Sequence, residues 1–342
     1  MTATAPAPVL RPRPAAPWAV PGGLLVVAAA TVLSMKVGAR PLSWAELADG
    51  LLRFGGSPTD IVVRHVRLPR TLAGLITGAC LGLAGAVAQG ITRNPLAGPG
   101  TLGVNAGAAG AMILVMASAG IGSLAGHVWF GFLGGALAAL AVYAIGGSGR
   151  DGATPVKLAL AGAAVSALIT AATSAVVLLD RELFARFRYW IVGSLARADL
   201  LTVGQAVPFA VAGVLLAVAL VRRLDAVALG EDTSRSLGAR PGPTRVTGLV
   251  AVVVLAGTAT AVAGPVAFVG LVAPHAARAL VGTAHRWVLP VSALLAAGLV
   301  LLADVAGRVV IAPEEVQIGV TAAVLGGPVF LHLVRTRKVA AL

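Results

Sequence analysis

Residues 67–107 read RLPRTLAGLITGACLGLAGAVAQGITRNPLAGPGTLGVNAG. Arg67 and Arg70 flank a proline, and about twenty residues then pass without a charge, enough to cross a bilayer as a helix. Gly74, Gly78 and Gly82 recur at every fourth residue of that run. Small residues on one helical face let a second helix approach closely, because packing drives helix association in lipid. The run ends at Gln89, Arg93, Asn94 and Pro95, followed by Gly98, Pro99 and Gly100. Backbone that breaks beside a span is tolerated where protein buries it or water reaches it. A passage through the membrane therefore reads better than a simple anchor.

The whole chain agrees with this stretch. Of its 342 residues, 58% are apolar and 11% charged, with a mean hydropathy of +0.93. Soluble domains carry about twice that charged fraction. Hydropathy predicts about ten spans, near 18–35, 69–91, 102–121, 128–146, 156–179, 200–221, 246–263, 266–283, 286–304 and 315–334. The eighth is the weakest, because Pro274 and Arg278 interrupt it. Residues 1–17 read as a disordered cytoplasmic tail and 18–338 as one all-α transmembrane domain, with a loop at 222–245. An even number of spans puts both termini on one side. With that side inside, the inner segments hold the larger share of Lys and Arg and the outer ones the larger share of Asp and Glu. Positive charge favours the cytoplasm, so both termini are expected there.

Residues 67–107 and 245–282 look like versions of one another. Each runs through an apolar span into a Gly/Pro break, at Asn94-Pro95 in the first and from Gly264 to Pro274 in the second. If one copy starts outside and the other inside, helices 2–5 and 7–10 form an inverted repeat, a common plan for transporters.

Several chemistries are missing from the sequence. No G-x-x-x-x-G-K-[ST] occurs, so the chain has no phosphate-binding loop for ATP. Cys80 is the only cysteine, which excludes an intrachain disulfide and a cysteine metal cluster. No acidic residue falls at a predicted midplane, where an ion-coupled carrier usually has one. Asp304 and Asp180 lie near span ends, and Glu314 and Glu315 fall in a loop. Energy for transport, if used, must then come from a partner. No basic, aromatic-interleaved soluble segment points to nucleic acid.

At this point the residues resemble the FecCD-type permeases, the membrane subunits of type II ABC importers for iron-siderophores, haem and vitamin B12. Arg67 to Gly103 is similar to that family's R-L-P-R…G-A…Q…N-P-L-A-x-P-x-x-L-G. Trp190 to Leu195 is similar to its W-x-x-G-S. The segment from Leu229-Gly230 to Leu237-Gly238 is similar to its A-L-G-x-x-x-A-x-x-L-G, with Ser234 in place of the usual alanine. Gly264 to His275, Leu302 to Asp304 and Gly319 to Pro328 complete the likeness. The resemblance implies ten spans per subunit and a second permease subunit, identical or homologous. It also implies two cytoplasmic ATPase subunits, an extracytoplasmic substrate-binding lipoprotein and a metal-chelate substrate in a bacterial cytoplasmic membrane. Ferric siderophore is the first expectation for the substrate, with haem and cobalamin open.

Arg67, Arg70 and Arg308 at predicted outer ends could simply anchor in headgroups. The resemblance makes them docking residues for acidic side chains of the binding protein, with Arg64 beside them. The stretch 225–240 could be a solvated connector, with Asp225 capping a short helix. The resemblance makes it the segment that fits the ATPase, through Ala228, Leu229, Gly230, Glu231, Arg235, Leu237 and Gly238. Asn94, Pro95, Asn105, Gly264, Pro265, Pro274 and His275 read as punctuation of broken helices and, in a mixed role, as gate or pathway residues. No second ligand stands three or four residues from His275, so a metal site is not expected. The hydroxyls of Ser166, Thr170, Thr173 and Ser174 more often bond back to their own helix than to a substrate. The alternative class is an ion-coupled secondary carrier without ATPase partners. A membrane-embedded enzyme lacks any acid, base or metal cluster to carry it.

Overall fold

The helix predicted from the opening stretch is the axis of the molecule. In the computed structural model, which describes residues 16–38, 40–118, 124–148, 154–236 and 238–336, it spans Leu68–Thr92, and 20 of its 25 residues are buried. A helix apolar on every side is stable only when surrounded, and this one is surrounded by other helices. In chain order the helices are α1 (Ala16–Lys36), α2 (Trp44–Leu52), α3 (Pro58–Ile61), α4 (Leu68–Thr92), α5 (Val104–Ser118), α6 (Leu124–Gly146) and α7 (Pro155–Leu179). They continue with α8 (Arg181–Ile191), α9 (Leu200–Ala228), α10 (Glu231–Ser236), α11 (Pro241–Ala263), α12 (Val269–Val281), α13 (His285–Val309) and α14 (Ile318–Thr336). A π-helical turn, Val62–Arg67, joins α3 to α4.

Seven of these stretches are long and apolar enough to cross a membrane, and α5, α12 and α14 are shorter apolar helices. The fold is an all-helical membrane bundle with about ten spans, as the hydropathy predicts. Several limits move. α9 continues to Ala228 and α11 starts at Pro241, so much of the expected loop 222–245 is helix. The eighth span is a single 13-residue helix, with Pro274 inside it and not at its start. His275 therefore lies within α12.

The glycine stripe does what its spacing predicts. A Cβ at Gly74 would come within 2.7 Å of the Leu301 side chain, and one at Gly78 or Gly82 would run into the backbone of Ala297 or Ser292. α4 and α13 thus meet nearly backbone to backbone. Gly85 faces the carbonyl of Gly270 in the same way and brings α12 onto α4. α1 lies against α13, where Gly23 faces Leu294 and Gly298 faces Val26.

The two halves repeat in opposite senses. Gly248, near the start of α11, packs on Ile91 at the end of α4, so the two long buried helices run antiparallel. After α4 comes the break 93–103 and the short α5. After α11 comes the break 264–268 and the short α12. The remaining helices pack in matching order, α5 on α6 and α7, α12 on α13 and α14. At the periphery α7 exposes Leu160, Leu168, Leu178 and Leu179, an apolar face suited to lipid or to another subunit.

Candidate functional site

Two polar clusters occupy opposite ends of the bundle, and α4 and α13 run between them. The first gathers Arg67, Arg70 and Arg308. α4 begins with a proline in its first turn, which leaves Arg70 one turn in and facing the last turns of α13. There Asp304 and Arg308 stand four residues apart on one face.

Asp304 is the hub of this end. It is 3% exposed and takes a guanidinium on each side. Arg70 donates Nε and Nη2 to its Oδ1 at 3.0 and 2.8 Å, and Arg308 donates Nε to its Oδ2 at 3.0 Å. A second contact to Oδ2 comes from Arg308 Nη2. Arg308 also donates to the Ser34 carbonyl at 2.8 Å, the Val37 carbonyl at 3.0 Å and the Ser34 hydroxyl at 2.9 Å. Ser34 in turn meets the Thr71 hydroxyl at 2.9 Å. Arg67 donates to the carbonyls of Met35, at 2.7 Å, and Arg40. The end of α1 is thereby clamped by two arginines from α13 and from the turn before α4.

The other end of the Arg70 fork faces Glu315. Nη1 lies 3.0 Å from Oε1 and Nη2 lies 2.8 Å from Oε2. Arg70, Arg308 and Arg67 carry three positive charges against Asp304 and Glu315, so the cluster keeps one in excess. Arg64 stands apart. It donates to the carbonyls of Gly50 and Leu51, both at 2.8 Å, and lies 4.8 Å over the Phe54 ring, which holds α2 in place. Of the expected docking residues, the structure brings three into one buried cluster and puts Arg64 beside it. None presents an unoccupied guanidinium.

The second cluster lies where α4, α9, α12 and α13 meet, next to α10. Asp225, in the last turn of α9, accepts from the backbone N–H of His285 at 2.9 Å and from its Nδ1 at 2.7 Å. The expected helix-capping role of Asp225 gives way to this contact, because α9 continues past it. His285 is 1% exposed, and its Nε2 is enclosed without a partner beside Gly90. One residue earlier on α4, Gln89 accepts from Arg278 and donates to the Leu271 carbonyl at 3.3 Å.

From here the chain enters the segment expected to meet an ATPase. Leu229 closes α9 and, like Ala228, is half-buried. Gly230 has φ +103°, a conformation L-residues avoid, and starts the turn into α10. Arg235 is exposed, Ser234 is fully buried, and Gly238 ends the segment at φ +76°. Glu231 begins α10, and Leu237 lies outside the described residues.

The expected gate residues fall on the two breaks and on the helices that follow them. Asn94 accepts from the Leu96 N–H at 2.9 Å and so turns the chain at Pro95. Asn105 lies in the first turn of α5 with its Oδ1 buried and unpartnered. Gly264 has φ +75°, and a Cβ there would press on the Trp190 carbonyl, so the second break seats against the end of α8. Pro265 follows it, half-buried. Pro274 is buried, and His275 meets the Phe330 ring of α14 edge-on at 5.5 Å. The breaks are not isolated from each other's halves, since Pro99 packs against Gly270 at the start of α12. Thr173 bonds back to the Ile169 carbonyl at 2.7 Å, as expected for a hydroxyl on a span, whereas the Ser166 hydroxyl is buried without a partner.

Asp304, Glu315, Ser34, Asp225 and His285 were not among the expected site residues. Only the Asp304–Arg308 spacing of four carries a local signal. The other contacts join residues from 37 to 274 positions apart.

Residues 24–336 match the FecCD transport family. The ferric enterobactin transport system permease protein FepD of Escherichia coli (strain K12) is 43% identical over 320 residues, covering 93% of this chain and 95% of that protein. The Fe(3+)-citrate import system permease protein YfmD of Bacillus subtilis (strain 168) is 39% identical over 305 residues, covering 89% and 90%. A solved inward-facing structure, assigned to a metal-chelate type ABC transporter, superposes with a TM-score of 0.83 at 28% identity. It covers 94% of this chain and 100% of the other.

Proposed function

This chain belongs to the FecCD transport family, and from that premise we propose that it is the permease subunit of an ATP-driven importer for a metal chelate. Ferric siderophore is the substrate class we favour, with haem and cobalamin as the other candidates. The observation that carries the reading is that the family match runs from α1 to α14, through both polar clusters.

The geometry and the family together support a set of partners. The arginine cluster faces the extracytoplasmic side and receives acidic residues of a substrate-binding lipoprotein. The α10 end, with both termini, faces the cytoplasm and meets two ATPase subunits through Ala228 to Gly238. A second permease subunit, identical or homologous, completes the pathway, and the apolar face of α7 is suited to such a contact or to lipid. Asn94, Pro95, Asn105, Gly264, Pro265, Pro274 and His275 form or support the gate. The chain performs no covalent chemistry. Closing and opening of the ATPases tilts helices that are packed tightly enough, at α4 and α13, to move as one body.

An ion-coupled carrier is the reading this arrangement disfavours. A coupling carboxylate must exchange an ion, but Asp304 is fixed between two guanidiniums. The direct test is ATP hydrolysis by the purified chain, alone and with the ATPase subunit added. The chain alone is expected to show none, and activity should appear with the ATPase. Turnover by the isolated chain would overturn the reading.

A further inference from the structure

We propose that Glu315 is a built-in stand-in for the binding protein's carboxylate, holding the outward edge of Arg70 until docking replaces it. This rests on the docking role proposed above for the arginine cluster. It answers a difficulty that the geometry raises for that role, since Arg67, Arg70 and Arg308 are 4–7% exposed and each guanidinium already holds acceptors within the protein.

The Arg70 fork has two edges. The Nε/Nη2 edge lies on Asp304, whose side chain is 3% exposed. The Nη1/Nη2 edge lies on Glu315, whose side chain is 35% exposed. Both pairs are two-pronged and charge-assisted. Asp304 sits inside α13 and also holds Arg308, so it cannot leave without stranding a second buried charge. Glu315 sits in the turn between α13 and α14, touches one arginine and already meets solvent. Among the described residues it is the only carboxylate of this cluster that can swing out without breaking a helix.

Exchange of one carboxylate for another keeps the outward edge of Arg70 paired throughout. The arginine is never exposed bare in the absence of a partner. The incoming group must present two oxygens to a planar fork, which selects Asp or Glu over a single-point acceptor. Glu315, once released, remains as a like charge close to the incoming acid, so it also weakens the docked state and favours release.

The experiment uses the permease–ATPase complex in nanodiscs and the soluble domain of the partner lipoprotein, with association followed at low and high salt. Glu315→Gln is expected to tighten binding about tenfold, since a neutral amide holds a guanidinium less firmly. Glu314→Gln removes the same charge from the neighbouring residue, which has no contact with Arg70, and is expected to change affinity less than twofold. Equal effects of the two variants would mean that diffuse charge alone acts, and would overturn the proposal. Unchanged or weaker binding by Glu315→Gln would overturn it too, making Glu315 a support for Arg70. Arg70→Lys keeps the charge and loses the fork. If it and the wild type bind alike, with no salt dependence in either, the docking role of this end fails and the stand-in fails with it.

Discussion

Asp225 receives both the backbone N–H and the ring Nδ1 of His285, at 2.9 and 2.7 Å, and so ties the end of α9 to the start of α13. His285 opens the helix that carries Asp304, nineteen residues later and about 28 Å away along a straight helix, and Arg308 one turn beyond it. One helix thus touches the segment proposed to meet the ATPase at one end and the arginine cluster at the other. Removing the acceptor with Asp225→Ala leaves two buried donors unmet. Stability should fall by about 2 kcal/mol, read as an earlier thermal unfolding of the detergent-purified protein. Stimulation of the ATPase by the loaded binding protein should fall as well. An unaltered melting curve would show that the contact carries no weight.

Asp304→Asn should be the most damaging substitution at the arginine end. It removes the charge that compensates Arg70 and Arg308 together. Breaking a buried pair by losing one partner costs about 3–5 kcal/mol. The variant is expected to insert poorly or to melt well below the wild type. The exposed contact at Glu315 is worth much less, so Glu315→Gln should melt close to the wild type. Equal melting of Asp304→Asn and wild type would contradict the hub described above.

The α4–α13 contact makes a sharper prediction than hydropathy does. Gly78→Ala adds one methyl group against the backbone of Ala297, which cannot rotate away. Overpacking of this kind costs about 1–3 kcal/mol. Gly22→Ala, where nothing lies within 4 Å of the added group, serves as the control and should not destabilise. Thermal unfolding of the two variants side by side decides it.

At the opposite end, Leu229→Asp puts a charge on the half-buried residue that closes α9. If Leu229 is an anchor for the ATPase, the loss is about 2 kcal/mol of binding or more. Co-purification of the ATPase should then drop at least tenfold while membrane insertion is retained. Undiminished co-purification would reduce residues 228–238 to a connector.

Much of this architecture could be read in advance, and the reasons are physical. Long apolar runs have few alternatives to a membrane helix, so most spans fall within a few residues of their predicted limits, while α9, α11 and α13 run five to seven residues further at one end. Gly74, Gly78 and Gly82 announced a close partner but could not say that it was α13. The least legible part was the side-chain network. Arg70 reads as an outward cation in sequence because Asp304 lies 234 positions away. Asp225 looked like a cap because hydropathy fades at Arg222 and Arg223, whereas packing of Leu224 and Val227 extends α9 to Ala228. His285 gave no signal at all, since its partner lies on another helix.

The central claim is that this chain conducts a metal chelate with energy taken from an ATPase. Proteoliposomes holding the permease and its ATPase, loaded with ATP and offered the binding protein with radiolabelled ferric siderophore, test it most directly. The account predicts iron accumulation inside that requires ATP and the binding protein and is insensitive to a proton ionophore. Accumulation without the ATPase, abolished by the ionophore, would contradict it.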